Sequence, residues 1–158
     1  MTITLQQLDA WDISLFEELM TVFGEAFDEM DTYTHMRPGH EYVENLLASN
    51  HFIALVAMDN KKAVGGLTAY ELLKFEQERS EIYIYDLAVA REYRRQGIAT
   101  ALLQQMQTIA AERGAYVLII EADTGEEDQA AIALYRKLGR EEKVLHYDIP
   151  VEISRTVK

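Results

Sequence analysis

The segment Arg91 to Thr100, REYRRQGIAT, sets paired arginines ahead of a glycine that opens an apolar-periodic stretch, an arrangement suited to a diphosphate. A helix N-terminus concentrates about half a positive charge and leaves its first amides without intrahelical partners. Gly97 lets a ligand approach the backbone closely, Ala99 keeps the next turn small, and Arg94 and Arg95 add charge. A glycine before a helix also serves as an ordinary tight turn. The stretch is not a P-loop, because no Lys-Ser or Lys-Thr follows, and it lacks the repeated glycines of a dinucleotide fingerprint.

Upstream, Asp86 interrupts the apolar run EIYIYDLAV, a costly place for a buried carboxylate without partners. Either it accepts backbone hydrogen bonds at a β-bulge, or it serves a ligand. Glu81, Tyr83 and Tyr85 lie on the same run, and strand alternation with or without a bulge leaves their facing open. Tyr135 shares a helix face with Ala131, Leu134 and Leu138, which on spacing alone suits a core tyrosine. Asp123, Glu126, Glu127 and Asp128 follow YVLIIEA, at the end of a strand where α/β sheets tend to bind ligands. That run reads as a solvated loop or as an acidic pocket for a ligand bearing several ammonium groups. His146 and Asp148, in VLHYDI, are further candidates for such a pocket.

The elements that must position these groups follow from periodicity. Thr2 to Gln6 reads as a first strand, and DISLFEELMTVFGEAF as a helix with Asp12 or Ser14 as its cap. Arg37-Pro38-Gly39 breaks the chain before a shorter helix at Glu41 to Ala48. FIALVAM, the turn Asp59 to Lys62 and AVGGLTAYELL form a β-hairpin, and the loop KFEQERS leads to the strand EIYIYDLAV. A helix from Gly97 to Arg113 ends at Gly114, YVLIIEA is a buried strand, Asp128 to Leu138 is a helix stopped by Gly139, and VLHYDI is a last strand.

With 158 residues, 49% of them hydrophobic, the chain suits one compact α/β domain over 1–158. No stretch reaches the run of about 18 apolar residues that a membrane span needs, and acids stand where a signal peptide would keep an apolar core, so a soluble cytoplasmic protein is expected. There are no cysteines, which removes disulfides, thiolate metal sites and a cysteine acyl-enzyme. The histidines His35, His40, His51 and His146 lack the spacing of a zinc site, and no metal is expected. Fifteen Lys plus Arg against 27 Asp plus Glu give a formal charge of −12. That field repels nucleic acid and anionic lipid and attracts a cationic small molecule, or it simply keeps the protein soluble.

Arg94-Arg95-Gln96-Gly97-Ile98-Ala99 resembles the R/Q-x-x-G-x-G/A motif of the GNAT superfamily of N-acetyltransferases, and ALYRKLG at Ala133 to Gly139 looks like that family's second motif. The narrower strings KFEQ, RSEIYIYDLAV and GAYV are similar to the type I aminoglycoside 3-N-acetyltransferases, a likeness that runs from about Phe52 to Ile149. The resemblance implies an α/β (α+β) fold with a central mixed, mostly antiparallel sheet flanked by helices, its central strands splayed. It implies acetyl-CoA as cosubstrate, with the backbone of Leu87, Ala88 and Val89 pairing with the pantetheine arm. Arg94, Arg95, Gln96, Gly97, Ile98, Ala99 and Thr100 would hold the pyrophosphate. Asp86 would bind the acceptor ammonium or take its proton, and Tyr135 would protonate the departing thiolate. Tyr83, Asp123, Glu126 and Asp148 are the other candidates for binding the acceptor. The implied reaction is direct transfer of the acetyl group to the 3-amino group of a gentamicin-like aminoglycoside, conferring antibiotic resistance, in a homodimer. The alternatives are the same chemistry on a polyamine or a protein, and a noncatalytic acyl-CoA-binding module.

Overall fold

The computed structural model describes residues 2–153; Met1 and residues 154–158, which the expected 1–158 domain includes, lie outside the described residues. The chain divides into two compact units, one ending at Glu121 and the other beginning at Ala122.

The first unit carries β1 (Ile3–Gln7), α1 (Ile13–Ala26), a π-helical turn (Asp31–His35), α2 (His40–Ala48), β2 (Phe52–Asp59) and β3 (Lys62–Leu73). β4 (Ser80–Val89), a 3₁₀ turn (Arg91–Tyr93), α3 (Ile98–Arg113) and β5 (Ala115–Ile120) complete it. The strands form one sheet in the order β1-β2-β3-β4-β5, antiparallel except where β5 runs parallel to β4. The expected mixed, mostly antiparallel sheet flanked by helices is therefore present.

β2 reads as an unbroken apolar run because both of its faces are covered. Phe52, Ala54 and Val56 join a cluster with Phe16, Leu19 and Phe23 of α1 and Val43 and Leu47 of α2. Ile53, Leu55 and Ala57 are as deeply buried but stand outside that cluster, on the opposite face of the pleat. α3 packs on β2 to β5, with Leu102 and Met106 fully buried. Asn60, at φ 57°, supplies the left-handed residue that closes the β2–β3 hairpin. Gly114, at φ 78°, ends α3 as the sequence indicates.

Several elements differ from the sequence-based expectation. Asp12 occupies the cap position of α1, but its carboxylate accepts the Asp9 amide at 2.9 Å and no side-chain bond caps the helix, while Ser14 lies inside it. The π-helical turn at Asp31–His35 was not foreseen. β5, expected to be buried, leaves Tyr116 and Val117 well exposed, because it forms an edge and pairs only with β4 among the described residues.

In the second unit a 3₁₀ turn at Glu126–Asp128 precedes α4 (Gln129–Leu138), which begins one residue later than expected and ends at Gly139. The expected strand VLHYDI is not formed: residues 144–149 have no ladder partner, and Val144, Leu145, Tyr147 and Ile149 are exposed. Strand propensity alone does not make a strand. Without a neighbour, its backbone groups bond to water as readily as to a sheet.

At Gly66 of β3, α1 packs close against the sheet. A Cβ there would stand 2.6 Å from both the Leu19 Cδ1 and the Leu55 carbonyl oxygen. Gly66→Ala should therefore cost about 1–3 kcal/mol of stability, as overpacked cores do. Chemical denaturation measures it, and a loss below about 0.5 kcal/mol would show that α1 yields without strain.

Candidate active site

One extra residue in β4 decides which side chains share a surface. Thr68 faces Asp86 and Ala69 faces Ile84, so Tyr85 bulges out of the β3–β4 ladder. Before the bulge, Ile82 and Ile84 are buried, while Tyr83 lies opposite Tyr70 on the other face. After it, Ala88 belongs to the α1/α2 cluster. The bulge thus sets Tyr83, Tyr85 and Asp86 on the α1 side of the sheet. Without it, strict alternation would drive the carboxylate in with Ile82 and Ile84.

The wall around Asp86 is aromatic. Tyr70 stands edge-on to Tyr85 at 6.0 Å, Tyr83 lies 6.3 Å from Tyr85, and Phe52 lies 5.3 Å from Tyr70. The Tyr33 hydroxyl donates to Asp86 Oδ2 at 2.8 Å. The structural setting expected for Asp86 is thus met in part: the bulge is present, but the carboxylate's partner is a phenol from the π-helical turn rather than backbone amides. Burial pushes the Asp86 carboxyl above its ordinary value, and the Tyr33 hydrogen bond opposes that rise. The Tyr33 hydroxyl is itself held well above the usual range by burial and by the bond to Asp86. Burial and a hydrogen bond to Glu121 push the Tyr83 hydroxyl up to about 12. Glu81 is turned elsewhere, accepting from Tyr116 and lying 3.7 Å from Lys74.

Tyr33 and Glu121 were not singled out from the sequence. Tyr33 is the lone aromatic in the polar stretch DTYTH, and its contact with Asp86 spans 53 positions, beyond the reach of local pattern. Glu121 directly follows β5, and the Ile84–Ile120 pairing brings it level with Tyr85.

The same register opens the strand edge. β5 pairs with β4 from Ser80 only as far as Ile84, so from Tyr85 to Val89 the edge of β4 away from β3 has no strand beside it among the described residues. The splay implied for the central strands is this divergence. Leu87, Ala88 and Val89 lie along the open edge, whose backbone groups suit an extended amide-bearing ligand.

Beyond Val89 the chain is braced into the turn. The Ala90 amide donates to the Val64 carbonyl at 2.8 Å, the Tyr93 hydroxyl to Asp59 Oδ2 at 2.8 Å, and Arg94 Nε to the Val89 carbonyl at 3.0 Å. Arg95 at φ 61° and Gly97 at φ 81° adopt left-handed backbone around Gln96, whose side chain bonds the Glu92 carbonyl. A Cβ on Gly97 would meet nothing within 4 Å, so the approach to the helix start is open. Ile98 is buried and offers only its amide, Ala99 and Thr100 follow in the first turn, and no acidic residue stands there. Arg94 also lines an open cleft of about 360 Å³ with Val22 and Glu25 of α1 and with Arg91.

In the second unit, Asp128 accepts the Asp123 amide at 2.8 Å and so closes the acidic loop on itself, while Asp123 and Glu126 are exposed. Asp148 pairs with His146 at 2.9 Å. Tyr135 is half-buried, and burial first, with the Asp128 charge second, pushes its hydroxyl up to about 12. Among the described residues, no group of three or more His, Asp or Glu stands together as a metal site, and no helix is long and apolar enough to cross a membrane.

The chain is similar to a solved aminoglycoside acetyltransferase from an uncultured soil metagenomic sample, at 56% identity and a TM-score of 0.95 over 96% of this chain and 100% of that one. A second aminoglycoside acetyltransferase from such a sample, solved in complex with sisomicin, is 30% identical with a TM-score of 0.86, over 95% and 97% of the two chains. Among curated proteins, N-alpha-acetyltransferase 30 of Schizosaccharomyces pombe is 34% identical over 89 residues, 54% of this chain and 55% of that protein. The chain spans about half the length of the curated relatives it matches. The sequence pattern of the acetyltransferase (GNAT) family matches residues 14–139, from α1 through the glycine turn to the end of α4, and the chain belongs to that family.

Proposed function

We propose that this protein transfers the acetyl group of acetyl-CoA to an aminoglycoside, at the 3-amino group, by direct attack in a ternary complex. The substrate class is carried by one observation: the likeness, at 56% identity over nearly the whole of both chains, to a solved aminoglycoside acetyltransferase. The proposal takes the two units as a single catalytic domain, supported by a family match that runs through both, and it takes the protein to be cytoplasmic on its sequence composition and homodimeric on the family resemblance.

The reaction follows from groups already placed. The open edge of β4 at Leu87 to Val89 pairs with the pantetheine arm, and the first amides of α3 with Arg94 and Arg95 hold the pyrophosphate. The acceptor amine nitrogen, once neutral, bonds to the acetyl carbon, and the oxyanion forms against a strand amide near Leu87. The carbon–sulfur bond then breaks, and the thiolate takes the Tyr135 proton. Burial and the Asp128 charge push that hydroxyl up to about 12, so it is protonated at neutral pH but a weaker acid than an exposed tyrosine, and its role rests on the likeness of ALYRKLG to the family's second motif. Asp86 pairs with the ammonium or receives the amine proton. Tyr83 and the acids Asp123, Glu126 and Asp148 are proposed to complement the remaining ammonium groups. Such a transfer would protect a cell from the drug.

Thiol release from acetyl-CoA should occur with gentamicin or sisomicin, and product mapping should place the acetyl group on the 3-amine. The partial likeness to an N-alpha-acetyltransferase makes a peptide N-terminus the second reading. Turnover confined to peptides or polyamines would overturn the substrate class, and acetyl-CoA binding with no turnover on any amine would overturn the reaction.

Gly97→Asp places a Cβ and a negative charge where the diphosphate is proposed to lie, on backbone at φ 81° that side chains disfavour. Calorimetry should show acetyl-CoA binding lost in a folded protein; unchanged affinity would remove the pyrophosphate assignment. Tyr135→Phe should keep acetyl-CoA affinity and lower kcat by about 100-fold, the usual scale of a positioned acid. An unchanged kcat, under conditions where chemistry limits the rate, would return Tyr135 to a packing role.

A further inference from the structure

We propose that Tyr33 is a positioning residue for this reaction: its hydroxyl holds Asp86 by Oδ2, so that Oδ1 is presented to one ammonium group of the acceptor. This rests on the reading that Asp86 holds the acceptor.

The chain is built to place this one phenol. Gly24 of α1 lets the turn pack closely, since a Cβ there would stand 2.9 Å from the Met30 sulfur and 3.3 Å from Tyr33 Cβ. Phe23 and Phe27 flank the Tyr33 ring at 5.9 and 5.8 Å. Arg37 clamps the turn to α1: its Nε donates to the Tyr33 carbonyl at 2.9 Å, and its Nη2 donates to the Glu17 carbonyl at 2.8 Å and Thr21 Oγ1 at 2.6 Å. The ring thus packs against Phe23 and Phe27, its backbone is held by Arg37, and its hydroxyl reaches the carboxylate at 2.8 Å. A π-helical turn is a rare backbone form that recurs at functional sites.

The bond also bears on ionisation. Burial raises the Asp86 carboxyl and the Tyr33 hydrogen bond lowers it, so deleting the donor leaves only the raising effect. The groups facing this pair are Tyr85 of β4, Tyr70 of β3 and Glu29 ahead of the turn, with Tyr42 of α2 beyond Tyr70. Each of these, where ionised, is an anion and disfavours carboxylate charge, and the cation beside Tyr33, Arg37, is already bonded to the Tyr33 and Glu17 carbonyls and to Thr21. Asp86 in a variant lacking the hydroxyl therefore ionises at higher pH.

The test is a double-mutant cycle on the whole chain with Tyr33→Phe, Asp86→Asn and the pair, read as kcat/KM for gentamicin against pH, with acetyl-CoA affinity as the control for folding. Tyr33→Phe keeps the ring contacts, so acetyl-CoA affinity should hold. Its kcat/KM should fall about tenfold, and its acid limb should move to higher pH. In the Asp86→Asn background the same change should have no further effect, because the carboxylate through which it acts is gone. A normal acid limb and kcat/KM in Tyr33→Phe, or a loss fully additive with Asp86→Asn, would overturn the positioning role. Full activity in Asp86→Asn itself is a separate result that would overturn the underlying assignment of Asp86. Should Tyr33→Phe not fold, Arg37→Lys loosens the clamp while keeping the charge and must shift the acid limb the same way; an unshifted limb overturns the proposal.

Discussion

A β-strand can offer its backbone to a ligand only where no neighbouring strand has taken it, and β4 meets that condition over its second half. β5 accompanies it from Ser80 to Ile84 and then diverges. The loss of a ladder partner would ordinarily leave a hazardous edge. Here the open stretch is short, it leads straight into the 3₁₀ turn at Arg91–Tyr93, and β3 secures its other side through Val89. The proposed places for the cofactor's extended arm and its diphosphate thereby lie next to each other along one continuous piece of chain.

The bulge at Tyr85 solves a second problem on the same strand. An aspartate in a central strand has two faces to choose from, and the α3 side is lined with Ile82, Ile84, Leu102 and Met106, where a carboxylate would find no partner. One inserted residue moves Asp86 to the side where Tyr33 can reach it. The carboxylate there is partly desolvated, which strengthens its attraction for a cation compared with one in water. The tyrosines around it supply flat, amphipathic surface without competing positive charge. Both features match the general acidity of the chain and the polycationic acceptor proposed for it.

The glycine turn, the proposed diphosphate site, shows the opposite strategy and would bind almost wholly through backbone. Left-handed residues at Arg95 and Gly97 carry the chain into α3. Tyr93 to Asp59, Ala90 to Val64 and Arg94 to Val89 hold the turn before any ligand arrives. Preorganisation of this kind lowers the entropic cost of binding, because the donors need not be gathered.

The sequence by itself determined the order and type of most elements, the position of the glycine turn and the family. These depend on local chemistry: apolar spacing in α1 and α3, the double-sided apolar run of β2, and the caps at Gly97 and Gly114. It also marked Asp86 as anomalous, since a carboxylate in an apolar strand is visible without coordinates. Tertiary structure alone decided which face Asp86 occupies, because a single bulged residue reverses the alternation and the sequence leaves the bulge open. It alone supplied Tyr33, drawn from a polar turn 53 positions away. It also showed β5 as a half-exposed edge and residues 144–149 without a strand partner. Burial and pairing are properties of neighbours, and a stretch of sequence states what a segment can join but not what stands beside it.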